Sequence, residues 1–241
     1  LPLNVSVPFY EMFQVVIQLG AILAVVLLFF RKLNPFSPKK SPVQKKGTWL
    51  LWAKVIVAVL PSALLGLAFD DWMDSHLYNY IVVSIALVIY GVAFLFVEKL
   101  QPTSPIDTVE AIDWKTAFYI GCFQCLSLLP GTSRSGATIL GALLLGVSRK
   151  AGAEFSFFLA IPTMLGASAL KLLKFLKNGI EATSTEWGVL AVGCVVSFVV
   201  SLLVIRGLME YVRKRSFAAF GVYRIVLGVL VIGYFVAKTL M

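Results

Sequence analysis

Long blocks of apolar residues constrain this 241-residue chain more than any other feature of its sequence. A helix rises about 1.5 Å per residue, so roughly 20 apolar residues cross about 30 Å of hydrocarbon. Blocks close to this length cover residues 9–30, 50–69, 80–97, 153–173, 187–205 and 217–237. They predict an all-α integral membrane protein with six transmembrane helices, folded as a single membrane domain over residues 1–241.

The composition argues against a soluble domain, because 59% of the residues are hydrophobic and the mean hydropathy is +0.91. A formal net charge of +9 raises the alternative of a nucleic-acid-binding protein. The basic residues lie in short segments between the apolar blocks, however, which is typical of the cytoplasmic loops of membrane proteins. We therefore expect membrane lipids, and no nucleic acid, as partners.

Charge also orients the predicted helices. Residues 31–48 contain basic residues, several prolines and no acidic residue, so we predict a cytoplasmic loop there. A second basic segment, residues 206–215, is predicted to be another cytoplasmic loop. The segment after the second block is acidic and is predicted to be an outer loop, and its charged or titratable residues are Asp70, Asp71, Asp74 and His76.

Two apolar pieces are too short to cross the bilayer. Residues 114–129 precede the polar stretch PGTSRSGAT (residues 130–138), and residues 135–147 form the second piece. Each piece would reach only roughly 20 to 24 Å as a helix. The pattern predicts a re-entrant helical hairpin over residues 114–148, whose polar tip is buried in protein or lines a cavity.

The predicted helices repeat along the chain. Helix starts at residues 9, 50 and 80 are matched by starts at residues 153, 187 and 217. Three crossings are an odd number, so the triplets over residues 9–100 and 153–238 should have opposite orientations, as in an inverted-topology repeat. The symmetry predicts a second hairpin before the first triplet. We expect it N-terminal to Leu1 and expect that the chain lacks this segment.

The polar stretch has the chemistry of an anion site. Pro130 ends the incoming helix, Gly131 permits the turn, and Thr132 or Ser133 can cap the outgoing helix. The N terminus of a helix attracts anions through its free N–H groups and its dipole. Arg134 adds a planar, permanently charged fork that suits phosphate oxygens.

Nearby hydroxyl groups complete this predicted cradle, and they belong to Ser133, Ser135 and Thr138. The alternative is a packing loop in which Arg134 pairs with a carboxylate such as that of Glu154. Arg224, inside the last apolar block, is a second charge at membrane depth. It either contacts the phosphate of a lipid or anchors a helix against the cradle.

The stretch PGTSRSGAT resembles the PGxSRSxxT signature of the bacterial undecaprenyl-diphosphate phosphatases, the bacitracin-resistance family. Segments elsewhere also resemble this family, so the similarity covers nearly the whole chain: FQVVIQLG (13–20), GCFQC (121–125), GVSR (146–149) and EFSF (154–157). The resemblance implies hydrolysis of undecaprenyl diphosphate to undecaprenyl phosphate and phosphate, which recycles the carrier lipid for peptidoglycan synthesis and confers bacitracin resistance. The alternative is a polyprenyl-phosphate flippase or an anion transporter, because inverted repeats with broken helices are a transporter design.

The resemblance also implies roles for residues of the polar stretch. The residues implied to be catalytic are Ser133, Arg134 and Thr138, and those implied to bind substrate are Gly131, Thr132 and Ser135. A divalent cation, Mg²⁺ or Ca²⁺, is implied as well. Its expected ligands are glutamates of a first motif, Glu-x-x-x-Glu followed by a histidine, which is absent from this sequence. Without that motif we expect the chain to bind diphosphate and to be deficient in hydrolysis.

The resemblance leaves the nucleophile open between Ser133 and a water molecule activated by the histidine of the first motif. It implies a multi-pass protein of the bacterial plasma membrane whose active site opens to the outer face. The partners it implies are a polyprenyl diphosphate lipid and the surrounding membrane lipids. A homodimer is compatible with this interpretation.

Overall fold

Helices form the regular structure of this chain, with one isolated β-bridge between Ile106 and Val147 among the described residues. The structure is a computed structural model that describes residues 5–100, 104–177 and 182–240. Its helices are α1 (Val7–Val16), α2 (Gln18–Leu28), α3 (Phe30–Leu33), α4 (Pro42–Leu77), α5 (Tyr80–Leu100), α6 (Trp114–Cys125), α7 (Arg134–Leu144), α8 (Arg149–Lys177), α9 (Ser184–Lys214) and α10 (Ala218–Leu240). A short 3-10 turn, Leu126–Leu128, follows α6.

Six apolar helical segments in the described part of the chain are long enough to cross a membrane. They are Val7–Leu28, Pro42–Phe69, Tyr80–Leu100, Arg149–Lys177, Ser184–Lys214 and Ala218–Lys238. These segments coincide with the six predicted blocks, and many of their large apolar side chains are exposed, as contact with lipid requires. The prediction of an all-α integral membrane protein is therefore confirmed.

Three helix ends in charged parts of the chain differ from the predictions. The predicted loop over residues 31–48 ends early, because α4 begins at Pro42, where a proline is tolerated at the first helical position. The predicted acidic loop is wrong, because α4 continues to Leu77 and its last turns contain Asp70, Asp71, Asp74 and His76. The loop predicted over residues 206–215 is also largely helical, since α9 ends at Lys214.

One compact unit comprises Leu1–Trp49 and Phe157–Met209. Gly20 allows α2 to approach α9 closely, because a Cβ placed on this glycine would contact the carbonyl oxygen of Cys194. Small residues permit such close packing between membrane helices. The buried core of this unit joins residues of α1, α8 and α9, which are Phe9, Met12, Val16, Phe175 and Leu190.

A second compact unit comprises Leu50–Ser156 and Glu210–Met241, and it contains the predicted hairpin. Its two helices, α6 and α7, pack against each other. Close packing also joins α5 to α10, because a Cβ on Gly91 would lie only 2.7 Å from the carbonyl oxygen of Gly221. The re-entrant course of the hairpin in the bilayer stays a prediction, as do the two inverted repeats.

Two acidic residues bind at helix ends that flank the hairpin. Glu98, near the end of α5, accepts hydrogen bonds from Arg149 Nε at 2.9 Å and from the Phe217 amide at 2.8 Å. Asp113 caps α6 and accepts from the Thr116 amide at 2.7 Å, and this hydrogen bond lowers the pKa of the Asp113 carboxyl. The carboxylate therefore remains charged, and α6 remains capped, at neutral pH.

Candidate functional site

The signature loop, residues 130–138, begins with a type II turn. The Leu129 carbonyl accepts from the Thr132 amide at 3.2 Å, Pro130 occupies the second position, and Gly131 has a φ of 88°. A type II turn requires a positive φ at its third position, which favours glycine. A Cβ on Gly131 would also lie 2.7 Å from Val83 Cα in α5. Glycine is therefore needed here both for the backbone conformation and for close packing.

Ser133 is the residue that caps α7. Its Oγ accepts a hydrogen bond from the Gly136 amide at 3.1 Å and lies 3.2 Å from Oγ of Ser135. This cap leaves the first two amides of the helix, those of Arg134 and Ser135, outside the intrahelical hydrogen bonds. The helix end therefore brings free N–H groups, a positive dipole end and two hydroxyls together, which is an arrangement that binds anions.

Arg134 is the first residue of α7, and one nitrogen of its side chain is an unsatisfied hydrogen-bond donor. Its Nη1 atom is buried and donates to no described residue, and so it donates to no described carboxylate. This nitrogen is therefore not paired with Glu154, as the packing-loop alternative would suggest. A buried charged donor without an acceptor is unfavourable, and an anionic ligand would supply the missing acceptor.

Two other hydroxyls of the loop point into the protein. Thr138 is 1% exposed, and its Oγ1 lies 3.1 Å from the carbonyl oxygens of Arg134 and Ser135 and 2.6 Å from Oγ of Ser156. Thr132 Oγ1 donates to the Leu126 carbonyl at 2.7 Å. The structure thus brings Ser133, Arg134 and Ser135 together at the helix end, while Thr132 and Thr138 brace the loop from within.

A cavity of about 450 Å³ lies near the opposite end of α7. It reaches Leu143, which is roughly 14 Å along the helix axis from Arg134 at 1.5 Å per residue. Its walls include Glu98 and Arg149, which already form an ion pair with each other. The unsatisfied donor of Arg134 therefore belongs to the signature loop and not to this cavity.

Comparison with known proteins decides the family. The family model described as "Bacitracin resistance protein BacA" matches residues 3–230, which is nearly the whole chain.

The chain belongs to the BacA family.

Several curated members of the BacA family are close relatives. The undecaprenyl-diphosphatase of Lactiplantibacillus plantarum is 58% identical over 232 residues, which cover 95% of this chain and 84% of that protein. The enzyme of the same name from Limosilactobacillus fermentum is 57% identical over 237 residues, covering 97% of this chain and 85% of that protein. The corresponding protein of Enterococcus faecalis is 54% identical over 234 residues, covering 96% and 85%.

The divalent cation implied by the BacA resemblance has no complete ligand set in the described part of the chain. Among the residues whose side chains the structure describes, no three His, Cys, Asp or Glu residues are grouped so that they could hold a metal ion. Oxygen ligands, mainly carboxylates, are what Mg²⁺ and Ca²⁺ require. The signature loop itself offers hydroxyls and one cation, Arg134, so its chemistry suits a phosphate and not a bare metal ion.

Two residues that touch the loop were not predicted as site residues. Ser156 bonds Thr138, and its only signal in the sequence was the family-like segment EFSF. Arg224 of α10 donates from Nη2 to the Gly131 carbonyl at 2.7 Å. Its charge at membrane depth was visible in the sequence, but its partner depends on how α10 packs. Of the two roles considered for Arg224, the contact with Gly131 supports that of an anchor against the cradle.

Gly131→Ala should weaken both the fold and the activity. Alanine in the left-handed conformation costs about 1–2 kcal/mol, and its Cβ would also collide with the backbone of Val83. We expect a lower melting temperature in detergent and a loss of phosphatase activity in the full-length protein. Gly207→Ala is the matched control, because a Cβ on this helical glycine meets nothing within 4 Å. An unchanged melting temperature and activity for Gly131→Ala would show that the turn tolerates a side chain.

Proposed function

We propose that this protein hydrolyses undecaprenyl diphosphate to undecaprenyl phosphate and inorganic phosphate, and so returns the carrier lipid to peptidoglycan synthesis. The observation that carries the proposal is the capped N terminus of α7, whose first residue, Arg134, has a side-chain nitrogen that lacks an acceptor among the described residues. Relatives that are 51–58% identical and bear the name undecaprenyl-diphosphatase support the same substrate. Bacitracin resistance, named in the family description, follows as a proposed consequence of this recycling.

In this proposal the terminal phosphate binds at the exposed end of α7. The amides of Arg134 and Ser135 donate to its oxygens, and the guanidinium of Arg134 neutralises the negative charge that develops on them. Donors that are already fixed in position stabilise such charge without reorganising during the reaction. Thr132 and Thr138 act as positioning residues, because their hydroxyls are already bonded within the protein.

The proposed reaction is attack by water on the terminal phosphorus. The bond from this phosphorus to the bridging oxygen breaks, the bridging oxygen leaves with undecaprenyl phosphate, and a water proton passes to solvent. Ser133 is a less suitable nucleophile, because its Oγ accepts from the Gly136 amide and its other contact is with Ser135. A serine nucleophile needs an adjacent base, and none of its hydrogen-bond partners in the described residues is one.

We also propose that full activity requires Mg²⁺ or Ca²⁺, although the described residues supply no complete ligand set and the step above does not use the ion. A divalent cation would lower the repulsion between water and the diphosphate. The proposed setting is the bacterial plasma membrane, with the lipid chain of the substrate among the apolar helices and its diphosphate open to the outer face. Water could then reach the terminal phosphate from outside the cell.

Arg134→Lys tests the phosphate cradle. Lysine keeps the positive charge but loses the planar fork that binds two oxygens at once, so we expect kcat/KM for undecaprenyl diphosphate to fall about 10- to 100-fold. Phosphate release by the full-length protein in detergent would be measured across substrate concentrations. Arg215→Lys, the same exchange at an exposed arginine, is the control and should leave kcat/KM unchanged. Equal kcat/KM values for wild type and Arg134→Lys would rule out bidentate recognition at this arginine.

Ser133→Ala separates attack by water from attack by the serine. If water is the nucleophile, the variant loses a helix cap, worth about 1 kcal/mol, and keeps measurable turnover. Ser133→Asn, which retains capping ability, should then recover part of the lost stability. Quenching the wild-type protein with acid during turnover of substrate labelled in the terminal phosphate should give no labelled protein. Phosphoserine at residue 133 together with complete inactivity of Ser133→Ala would establish the serine as nucleophile instead.

A further inference from the structure

Residues 31–49 form a basic segment with a defined fold between α2 and the apolar part of α4. The segment contains six basic residues and no acidic residue. One of the six, Lys40, donates from Nζ to the Lys32 carbonyl at 3.0 Å and to Oγ1 of Thr48 at 2.7 Å. This side chain therefore ties α3 to the second turn of α4.

Local hydrogen bonds order the backbone between these two helices. Oδ1 of Asn34 accepts from the Phe36 amide at 2.9 Å, which fixes a turn. At the start of α4, Oε1 of Gln44 accepts from the Ser41 amide at 3.0 Å, and Oγ of Ser41 accepts from the Gln44 amide at 3.3 Å. This reciprocal pair is a capping box. The segment therefore presents its exposed side chains from a fixed backbone.

Three large apolar side chains of the basic segment are exposed. Phe36 is 76% exposed, Val43 is 80% exposed and Trp49 is 53% exposed. The rings of Phe36 and Trp49 meet edge to face, with 5.6 Å between their centroids. Exposure of such side chains to water is unfavourable, and tryptophan is enriched where membrane helices enter the headgroup layer. These side chains therefore indicate contact with lipid.

Lysines accompany the exposed apolar side chains. Lys39 and Lys46 are exposed, and Lys45 is half-buried. Lys45 precedes Trp49 by four residues, so the two share one face of α4. Lys46 follows Val43 by three residues and shares a face with it in the same way. The first two turns of α4 span about 11 Å, which is enough to cross a headgroup layer roughly 5 to 8 Å thick.

The charge of the segment favours one class of headgroup. No carboxylate within the segment balances its lysines. An anionic phospholipid offers them a phosphate without a neighbouring amine, whereas a zwitterionic phospholipid carries its own cation. Each lysine close to an anionic membrane surface strengthens binding about fivefold. Several lysines on one fixed segment should therefore select anionic lipids strongly.

We propose that residues 36–49 form a binding surface for anionic phospholipids. Lys39, Lys45 and Lys46 contact the headgroup phosphates, and the rings of Phe36 and Trp49 lie at the boundary with the lipid chains. The occupant is the leaflet that α4 enters, which the basic residues predict to be cytoplasmic. The inference does not depend on the function proposed above, because this surface lies in the first compact unit and the signature loop lies in the second.

The test compares phosphatidylglycerol with phosphatidylcholine of the same chain length. Each lipid is titrated into the full-length protein in detergent, and the rise in melting temperature gives an apparent affinity. We expect the wild type to bind phosphatidylglycerol more tightly than phosphatidylcholine. Replacing Lys39, Lys45 and Lys46 together by glutamine should weaken phosphatidylglycerol binding about 10- to 100-fold. The affinity for phosphatidylcholine should stay nearly unchanged.

The matched control replaces Arg213, Lys214 and Arg215 by glutamine, which removes the same charge from exposed residues outside the segment. This variant should bind phosphatidylglycerol like the wild type. Arginine at residues 39, 45 and 46 keeps the charge and should also bind like the wild type. Equal weakening by the two glutamine triples would show that net charge alone attracts the lipid, and would overturn the inference.

Further arms of the experiment separate the apolar contact from the charge and the lipid from a soluble anion. Phe36→Ser keeps every lysine and should weaken the binding of both lipids. Inorganic phosphate and glycerol 3-phosphate should leave the melting temperature of the wild type unchanged. If either raises it in the wild type but not in the triple at residues 39, 45 and 46, the lysines bind a soluble phosphate and the inference fails.

Two other results would contradict the proposal. One is equal affinity of the wild type for phosphatidylglycerol and phosphatidylcholine, and the other is unchanged phosphatidylglycerol binding by the triple at residues 39, 45 and 46. If that triple does not fold, Lys39→Gln and Lys46→Gln replace it as single variants, because both side chains are exposed. Each should then weaken phosphatidylglycerol binding about fivefold, and wild-type affinity in both would reject the surface.

Discussion

A guanidinium group among apolar membrane helices is costly, and the arrangement around the signature loop can be understood from that cost. Arg134 lies in this loop and Arg224 contacts it, and each keeps a buried nitrogen without a hydrogen-bond acceptor among the described residues. A protein gains nothing in stability from such groups, since apolar residues would pack better in the same space. Their presence is accounted for by a ligand that carries negative charge, and the end of a capped helix is where such a ligand is bound most readily.

The rest of the loop serves to hold that charge in place. Gly131 allows the turn to lie against α5, and the hydroxyl of Thr138 ties the first turn of α7 to Ser156. Ser133 caps the helix through the amide of Gly136 and leaves the two preceding amides for a ligand. These contacts are made within one compact unit of the chain. The donors are therefore fixed before substrate arrives, which is the condition under which they stabilise a transition state most effectively.

Local signals in the sequence predicted much of this arrangement. Hydropathy located six membrane helices, and the order of proline, glycine and hydroxyl residues located the turn and narrowed the cap to Thr132 or Ser133, of which the structure has Ser133. Helix ends were less predictable, because hydropathy reports only the part of a helix that lies in hydrocarbon. The charged turns of α4 beyond residue 69 are therefore helical although they were predicted as a loop. The contact between Arg224 and Gly131 joins residues 93 positions apart, so it depends on helix packing that no local pattern encodes.

The measurement that tests the central claim most directly is phosphate release from undecaprenyl diphosphate by the purified full-length protein in detergent, with the lipid products separated at each time point. The account predicts that one inorganic phosphate and one undecaprenyl phosphate appear for each diphosphate consumed, and that replacing Arg134 by alanine, which removes the guanidinium, strongly slows their appearance. Intact diphosphate after prolonged incubation, together with movement of the lipid across sealed vesicles, would contradict the account and indicate a transporter.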